Sequence, residues 1–116
     1  YILTGETRSV RIYVKGTDKT TLYLNWSRLI FVESLGSHTV IHTLDSEFET
    51  TESMKVLEKR YGDMFLKCHE SYMVNPAHVQ SIRRFKLTVT GGRELPVPEK
   101  KYTAVKSALQ NLIKDV

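Results

Sequence analysis

The first part of the chain alternates between apolar and polar residues. In RSVRIYVKG (8–16), Val10, Ile12 and Val14 fall on one face, and charged or tyrosine side chains fall on the other. A period of two predicts a strand that buries one face. TTLYLNW (20–26) repeats the pattern after the turn-forming residues GTDK. The two segments therefore predict a β-hairpin.

The next segments are more apolar. RLIFVES (28–34) is a continuous apolar run that ends in an acid and a hydroxyl, which is typical of a central strand. After the turn LGS, HTVIHTL (38–44) is rich in β-branched residues and predicts another strand. EFET (47–50) predicts a short strand, so this part of the chain is expected to form a sheet.

The period changes to that of a helix in TTESMKVLEKRYGD (50–63). Its apolar residues lie three and four positions apart, as in an amphipathic helix. The sequence offers three candidate N-cap residues and one candidate C′ residue. These are Thr50, Thr51, Ser53 and Gly62.

Strand signals return in MFLKCHESYMV (64–74). NPAHVQS (75–81) predicts one helical turn, because Asn75 suits the N-cap position and the proline after it suits the first turn. IRRFKLTVTGGRELPVP (82–98) predicts a hairpin closed by Gly91 and Gly92.

Apolar residues from Tyr102 to Val116 recur at helical spacing, which predicts a last helix that Lys100 and Lys101 precede. The chain contains no internal repeat and no linker-like segment. The whole sequence, 1–116, therefore predicts one compact, mainly β domain with two short helices.

Composition supports a small globular domain. The chain has 116 residues, of which 41% are hydrophobic and 26% are charged, and it has no apolar run long enough to span a membrane. It begins with Tyr1 rather than methionine, so we expect it to be cut from a longer protein. Cys68 is the single cysteine, which excludes an internal disulfide and fits a cytoplasmic protein.

Charge is unevenly distributed along the chain. Residues 78–116 contain eight Lys or Arg and three acids, whereas residues 1–77 contain nine Lys or Arg and ten acids. A basic C-terminal part suits an anionic partner such as a nucleic acid. A solubilising surface is an equally good explanation of charge alone.

FLKCHESYMVN (65–75) gathers a cysteine, a histidine, an acid and a hydroxyl, as a catalytic site would. However, neighbouring side chains on a strand point to opposite faces, which argues against a Cys68–His69 nucleophile pair. His69 and Ser71 share a face, but no acid is placed to orient the imidazole.

A metal site is also weakly supported. His38 and His42 are four residues apart, which on a strand is about 13 Å, too far for both to reach one ion. No glycine-rich phosphate loop is present, since GGRELP lacks the lysine and hydroxyl that such a loop requires. We therefore expect no metal, no cofactor and no catalysis, and keep a hydrolase or metal enzyme as one alternative.

One stretch resembles the signature of the LytTR (LytR/AlgR-type) DNA-binding domain. That signature has an aromatic residue, a basic residue, and then His-x-Ser-Tyr/Phe-x-Val-Asn, followed by aliphatic residues. Here the matching positions are Phe65, Lys67, His69, Ser71, Tyr72, Val74, Asn75, Val79 and Ile82. IFVES (30–34) and GGRELPVP (91–98) resemble two further blocks of the family in the same order.

The resemblance implies a fold of antiparallel β-sheets in an elongated, layered arrangement, which contacts double-stranded promoter DNA through loops. It also implies the output domain of a bacterial two-component response regulator that controls transcription. Such a protein has an upstream receiver domain, and often serves a quorum-sensing or bacteriocin system. Family members bind paired direct repeats as dimers. A protein-interaction module with a basic surface is the other alternative.

The resemblance also implies which residues contact DNA. The candidates for base contacts are His38, Glu70, Lys100 and Lys101. The candidates for phosphate contacts are Ser37, Thr39, Lys67, Ser71 and Thr103. Two positions depart from the family: Glu70 stands where relatives often have Arg or Asn, and Pro98 where they often have Ser.

The remaining signature residues are interpreted as structural. We expect His69 to form a hydrogen bond within the domain and Asn75 to cap the helical turn. Tyr72 and Phe65 are expected in the core, and Cys68 is expected to be a small buried residue rather than a redox switch.

Overall fold

The computed structural model describes residues 11–113, and the side chains as far as residue 111. The predicted positions Val10 and Val116 lie outside this range. The elements are β1 (Arg11–Lys15), β2 (Thr21–Asn25), β3 (Leu29–Leu35), β4 (His38–Thr43), β5 (Glu47–Thr50), α1 (Met54–Tyr61), β6 (Leu66–His69), β7 (Tyr72–Val74), β8 (Val79–Arg83), β9 (Lys86–Val89), β10 (Glu94–Pro96) and α2 (Glu99–Ile113). Short 3-10 helices span Trp26–Arg28, Gly62–Met64 and Pro76–His78.

A five-stranded antiparallel sheet forms the middle layer, in the order β5-β4-β3-β7-β6. β3 lies at its centre, as its continuous apolar run predicted, and its first five residues are buried. A strand with both faces covered must be apolar on both, which explains why the sequence of β3 does not alternate.

Two hydrophobic cores lie on opposite faces of this sheet. On one face, Val32 and Met73 pack with the β1–β2 hairpin and α1. On the other, Phe31 and Val74 pack with α2 and the three-stranded sheet β8–β10. The predicted layered, mainly β fold is therefore confirmed, with overall dimensions of 39 × 37 × 25 Å.

The structure corrects two local predictions and confirms a third. The segment 64–74 is not one strand, because the chain turns at Glu70 and Ser71 to form the antiparallel pair β6–β7. The predicted hairpin 82–98 is part of a three-stranded sheet with a second, unpredicted turn at Arg84 and Phe85. The predicted glycine turn is confirmed, since Gly91 has φ +95°.

The two helix ends also differ from prediction. Gly62 is not a left-handed C′ residue, because its φ of −57° continues the chain into a 3-10 helix. α2 begins at Glu99, so Lys100 and Lys101 belong to its first turn rather than preceding it. Ser53 is the N-cap of α1 and accepts a hydrogen bond from the Val56 amide. Among residues 11–113, no helix is long and apolar enough to cross a bilayer.

Candidate nucleic-acid interface

Two turns meet at one end of the five-stranded sheet. β3 leads to β4 through Gly36, whose φ of +74° favours glycine, and this turn exposes Ser37 and His38. The β6–β7 turn lies beside it, because the Ser34 amide at the end of β3 donates to the Ser71 carbonyl at 2.8 Å. Strand pairing therefore places the β3–β4 turn and the β6–β7 turn side by side at this end of the sheet.

The first turn of α2 reaches the same region. α2 packs on β6, the strand that leads into the β6–β7 turn, and the positive charge of Lys101 partly opposes the rise in the pKa of the Cys68 thiol. Lys100 is exposed and Lys101 is half-buried. We use the name reading edge for the candidate interface made of the two turns and the first turn of α2, with the candidate residues Ser37, His38, Glu70, Ser71, Lys100, Lys101 and Thr103.

Two predicted phosphate contacts are not brought to this edge. Thr39 follows His38 on β4 and therefore points to the opposite face, where it is only 3% exposed. The Lys67 ammonium lies 3.3 Å from the Glu58 carboxylate of α1, on the other face of the sheet from α2. Thr39 and Lys67 therefore do not belong to the reading edge.

His38 presents one ring nitrogen to solvent. Its Nδ1 lies 3.2 Å from Ser37 Oγ and 3.5 Å from Glu49 Oε2. Its Nε2 makes no hydrogen bond with the residues that the structure describes. An exposed imidazole nitrogen whose ring is held from the other side can donate to, or accept from, the edge of a base.

The β6–β7 turn is held by the signature histidine. The Ser71 amide donates to His69 Nδ1 at 3.0 Å, so His69 forms the predicted hydrogen bond within the domain. The ring of Tyr72 lies edge-on to that of His69 at 5.6 Å. Glu70 is exposed at the tip of this turn, where its carboxylate can act only as an acceptor.

A buried polar cluster lies behind the reading edge. The Glu33 carboxylate contacts His42 Nε2 at 2.9 Å and accepts a hydrogen bond from the Tyr72 hydroxyl at 3.1 Å. His42 stacks on Phe31 with ring centroids 4.1 Å apart. Burial, together with the Glu33 carboxylate, raises the pKa of Tyr72. Sequence reasoning missed this cluster, although an acid inside the apolar run of β3 was a signal that it needed a partner.

The opposite end of the sheet, which we call the closed end, consists of residues 25–29 and 75–78. Asn75 caps the turn Pro76–His78, as predicted, by accepting from the Ala77 amide at 2.9 Å. Its buried Nδ2 also donates to the carbonyls of Trp26 and Leu29 at 3.1 and 2.9 Å. This end satisfies its polar groups internally, so Asn75 is structural.

The catalytic residue types do not assemble into a site. Cys68 is fully buried, and burial raises the pKa of its thiol to about 11 against the opposing charge of Lys101. A thiol with that pKa supplies almost no thiolate near neutral pH. Within residues 11–113, no three side chains among His, Cys, Asp and Glu are clustered as metal ligands.

Comparison with known proteins gives the same fold. A solved LytTr DNA-binding domain from Bacillus cereus, part of a methyl-accepting/DNA response regulator, superposes with a TM-score of 0.68. The match covers 88% of this chain and 96% of that one. The two sequences are 22% identical, so this likeness establishes the fold alone.

Three curated relatives are transcriptional or sensory regulators. The regulatory protein LytR of Staphylococcus aureus is 34% identical over 44% of this chain, and the sensory transduction protein LytR of Staphylococcus epidermidis is 30% identical over 63%. The CO-responsive regulator RcoM of Rhodospirillum rubrum is 31% identical over 60%. The matched stretches span 22%, 31% and 30% of these relatives, respectively.

The family-level match covers most of the described fold. The profile of the LytTr DNA-binding domain matches residues 19–110, from the β1–β2 turn to the last turns of α2. This range includes both sheet turns of the reading edge and the first turn of α2. On that match, the chain belongs to the LytTr DNA-binding domain family.

Proposed function

We propose that this domain binds double-stranded DNA in a sequence-specific manner through the reading edge, as the output domain of a transcription regulator. The family is one of DNA-binding domains rather than enzymes, which supports a binding role. One observation carries the proposal. The turns near residues 37 and 71 lie side by side at one end of the sheet, and α2, which carries Lys100 and Lys101 in its first turn, packs on β6 next to them.

Base contacts are assigned to His38, Lys100 and Glu70. A lysine ammonium donates to guanine O6 and N7, and an imidazole can contact either an acceptor or a donor on a base edge. Glu70 accepts from a cytosine amino group, because a carboxylate next to phosphates would be repelled. Lys101 lies toward β6 and is assigned a supporting base contact.

Phosphate contacts are assigned to the small hydroxyls of the reading edge, Ser37, Ser71 and Thr103. Hydroxyls of this kind hold the register of a protein on the duplex, whereas contacts to base edges supply the specificity. Ser37 and Ser71 flank His38 and Glu70 in sequence, so each turn offers one hydroxyl beside one base-contacting residue.

The regulatory context is proposed from the relatives. Because the curated relatives are three to five times longer than the matched stretch, we propose that a receiver domain precedes this one in the full protein. We further propose that two copies bind paired direct repeats in a promoter, in the cytoplasm, within a quorum-sensing or bacteriocin system.

The test is in vitro selection of duplexes from a random library, followed by affinity measurements over a range of salt concentrations. We expect the selected duplex to bind at least 1,000-fold more tightly than a random one, since specific sites exceed non-specific ones by about 10³ or more. Both affinities should fall steeply with salt, because lysines release counterions. Equal, weak binding to all duplexes would contradict the proposal and favour a module that binds acidic proteins.

A further inference from the structure

We propose a second DNA-contacting surface, formed by Arg84, Phe85, Tyr102 and Lys106, that binds backbone phosphates beyond the reading edge. It rests on the proposed function and extends it, because its ligand is the phosphodiester backbone of the same duplex. We call these four residues the cation–aromatic ladder.

The ladder is a series of side chains, each in contact with the next. The Arg84 guanidinium lies 5.8 Å from the centroid of the Phe85 ring. Phe85 meets Tyr102 edge-to-face, with centroids 5.5 Å apart. The Lys106 ammonium lies 6.0 Å from the Tyr102 ring. Two aromatic rings therefore occupy the middle of the series, and a cation lies at each end.

The backbone fixes the ladder beside the start of α2. The Val97 amide donates to the Phe85 carbonyl at 2.9 Å, which ties the β8–β9 turn to the segment that leads into the helix. Phe85 nevertheless remains 38% exposed. Phe85 holds the Arg84 guanidinium and Tyr102 holds the Lys106 ammonium, which reduces the rotamer entropy that these two long side chains lose on binding.

The geometry of α2 gives the position of the ladder relative to the reading edge. Successive residues of an α-helix are rotated by about 100°, and Val105 and Leu109 face the core. Lys101 therefore lies on one flank, toward β6, and Lys106 lies on the other flank, toward Phe85. The ladder extends the interface across α2, on the side away from the two sheet turns.

The cations of the ladder are available to an anion. Within the described residues, neither Arg84 nor Lys106 has a carboxylate within 4.0 Å. Neighbouring Lys86 differs, since it lies 3.4 Å from Glu94. Glu99, in the first turn of α2, is the other nearby acid in sequence and is exposed. These cations have no acidic partner and are held by aromatic rings, so we expect them to bind phosphate groups rather than a neutral partner.

Phosphates, rather than bases, are the expected ligands for a geometric reason. The reading edge must enter a groove for its side chains to reach base edges, so the surface flanking it faces the backbone that borders that groove. Contacts of this kind add affinity without sequence preference.

The experiment compares the double variant Arg84→Gln/Lys106→Gln with a matched control, Lys55→Gln/Lys59→Gln, which removes the same charge from exposed positions on α1. Binding to the selected duplex is measured against salt concentration. The slope of log K against log salt should become shallower by about 0.9 for each lost phosphate contact in the ladder variant. The control should keep the slope of the unmodified chain.

A shortened duplex locates the contact. On a duplex that carries a single binding site, removing about 10 base pairs, one helical turn, from one end should abolish the difference between the ladder variant and the unmodified chain. Removing the same length from the other end should preserve it. Preference for the selected over the random duplex should be equal in both proteins.

Failure of this inference is distinguishable from failure of the proposed function. If Lys100→Ala weakens specific binding while the ladder variant keeps the unmodified slope, the ladder does not contact DNA and the proposed function stands. A slope change of equal size in the α1 control would also overturn the inference, since it would report net charge alone. If no duplex is preferred over random sequence, the proposed function itself fails.

Discussion

The two ends of the five-stranded sheet use similar residues in opposite ways. At the closed end, Asn75 is fully buried and bonds to the carbonyls of Trp26 and Leu29, while His78 Nε2 donates to the Ser27 carbonyl at 2.6 Å. At the reading edge, about 20 Å away along the seven residues of β3, His38 and Lys100 are exposed. One end satisfies its polar groups internally, and the other presents them to solvent.

This contrast explains the crowded stretch FLKCHESYMVN (65–75). The stretch turns at Glu70 and Ser71. Its middle therefore lies at the reading edge, and its last residue, Asn75, lies at the closed end. Its polar residues therefore serve two purposes, although they are close in sequence. Polar residues that are close together in the sequence therefore need not form one site, because a hairpin can place them at opposite ends of a sheet.

The largest effect should come from the closed end. Replacing Asn75 with Ala leaves one buried and one partly buried carbonyl without their donor and removes a cap. The free energy of unfolding, measured in urea, should therefore fall by about 2–4 kcal/mol.

The matched control for that variant is Asn25→Ala. Asn25 also caps a 3-10 helix, by accepting from the Ser27 amide at 3.1 Å, but it is only half-buried. Its loss should lower the free energy of unfolding by about 1 kcal/mol. Equal losses in the two variants would show that the closed end is no more than a pair of caps.

The second effect concerns the reading edge. Lys100→Ala should weaken binding to the selected duplex by about 1–3 kcal/mol and relax the preference at one base, because a base-edge contact is lost. Its free energy of unfolding should change by less than about 0.5 kcal/mol, since the side chain is exposed. Fluorescence anisotropy and urea unfolding measure the two quantities.

Lys55→Ala, on the opposite face of the sheet, is the control for Lys100→Ala. It removes the same charge and should leave the base preference intact. A loss of affinity that is uniform across all duplexes would mean that Lys100 touches phosphate rather than a base.

The third prediction sets two histidines of one strand against each other. His38→Ala should lower DNA affinity by about 1 kcal/mol and leave the melting temperature nearly unchanged, because this side chain is at the surface. His42→Ala should do the reverse. It removes the partner of a buried carboxylate and the ring stacked on Phe31, so stability should fall by about 1–2 kcal/mol.

A different result for either histidine would change its assignment to the interface or to the core. A large stability loss in His38→Ala would place His38 in the fold rather than at the interface. A specific loss of DNA affinity in His42→Ala, at a temperature where the variant is folded, would extend the reading edge inward along β4.

Local patterns predicted much of this molecule. The apolar run of β3 identified the central strand, and the Asn-Pro pair identified a capped turn. The alternating pattern of β4 also predicts that Thr39 and His38 lie on opposite faces of the strand, so the two side chains cannot both face the DNA.

What sequence could not supply was register. The bonds from Asn75 to Trp26 and Leu29 join residues 49 and 46 positions apart. The pairing of Glu33 with Tyr72 depends on which residue of β3 faces which residue of β7. The ion pair of Lys67 with Glu58 likewise depends on how α1 lies against β6. These contacts follow from tertiary packing, which a one-dimensional pattern does not encode.

The smallest predicted effect concerns Tyr72, whose hydroxyl belongs to the buried polar cluster behind the reading edge. Tyr72→Phe removes the hydrogen bond to Glu33, so it should lower the free energy of unfolding by about 1 kcal/mol near neutral pH. Burial and the Glu33 carboxylate raise the pKa of the folded-state phenol above its ordinary value of 10.0. In the unfolded chain the phenol therefore ionises first, and raising the pH above 10 stabilises the unfolded state.

The advantage of the unmodified chain over Tyr72→Phe should thus be constant below pH 10 and shrink as the pH rises above it. Urea unfolding of both proteins across that range measures the difference, and the other tyrosines cancel because both chains contain them. Exposed Tyr23→Phe is the control for the loss of a phenol hydroxyl and should leave the free energy of unfolding nearly unchanged near neutral pH. A constant difference through the alkaline range would mean that the Tyr72 phenol ionises as easily in the folded protein as in the unfolded chain. The hydrogen bond to the Glu33 carboxylate would then not favour the protonated phenol.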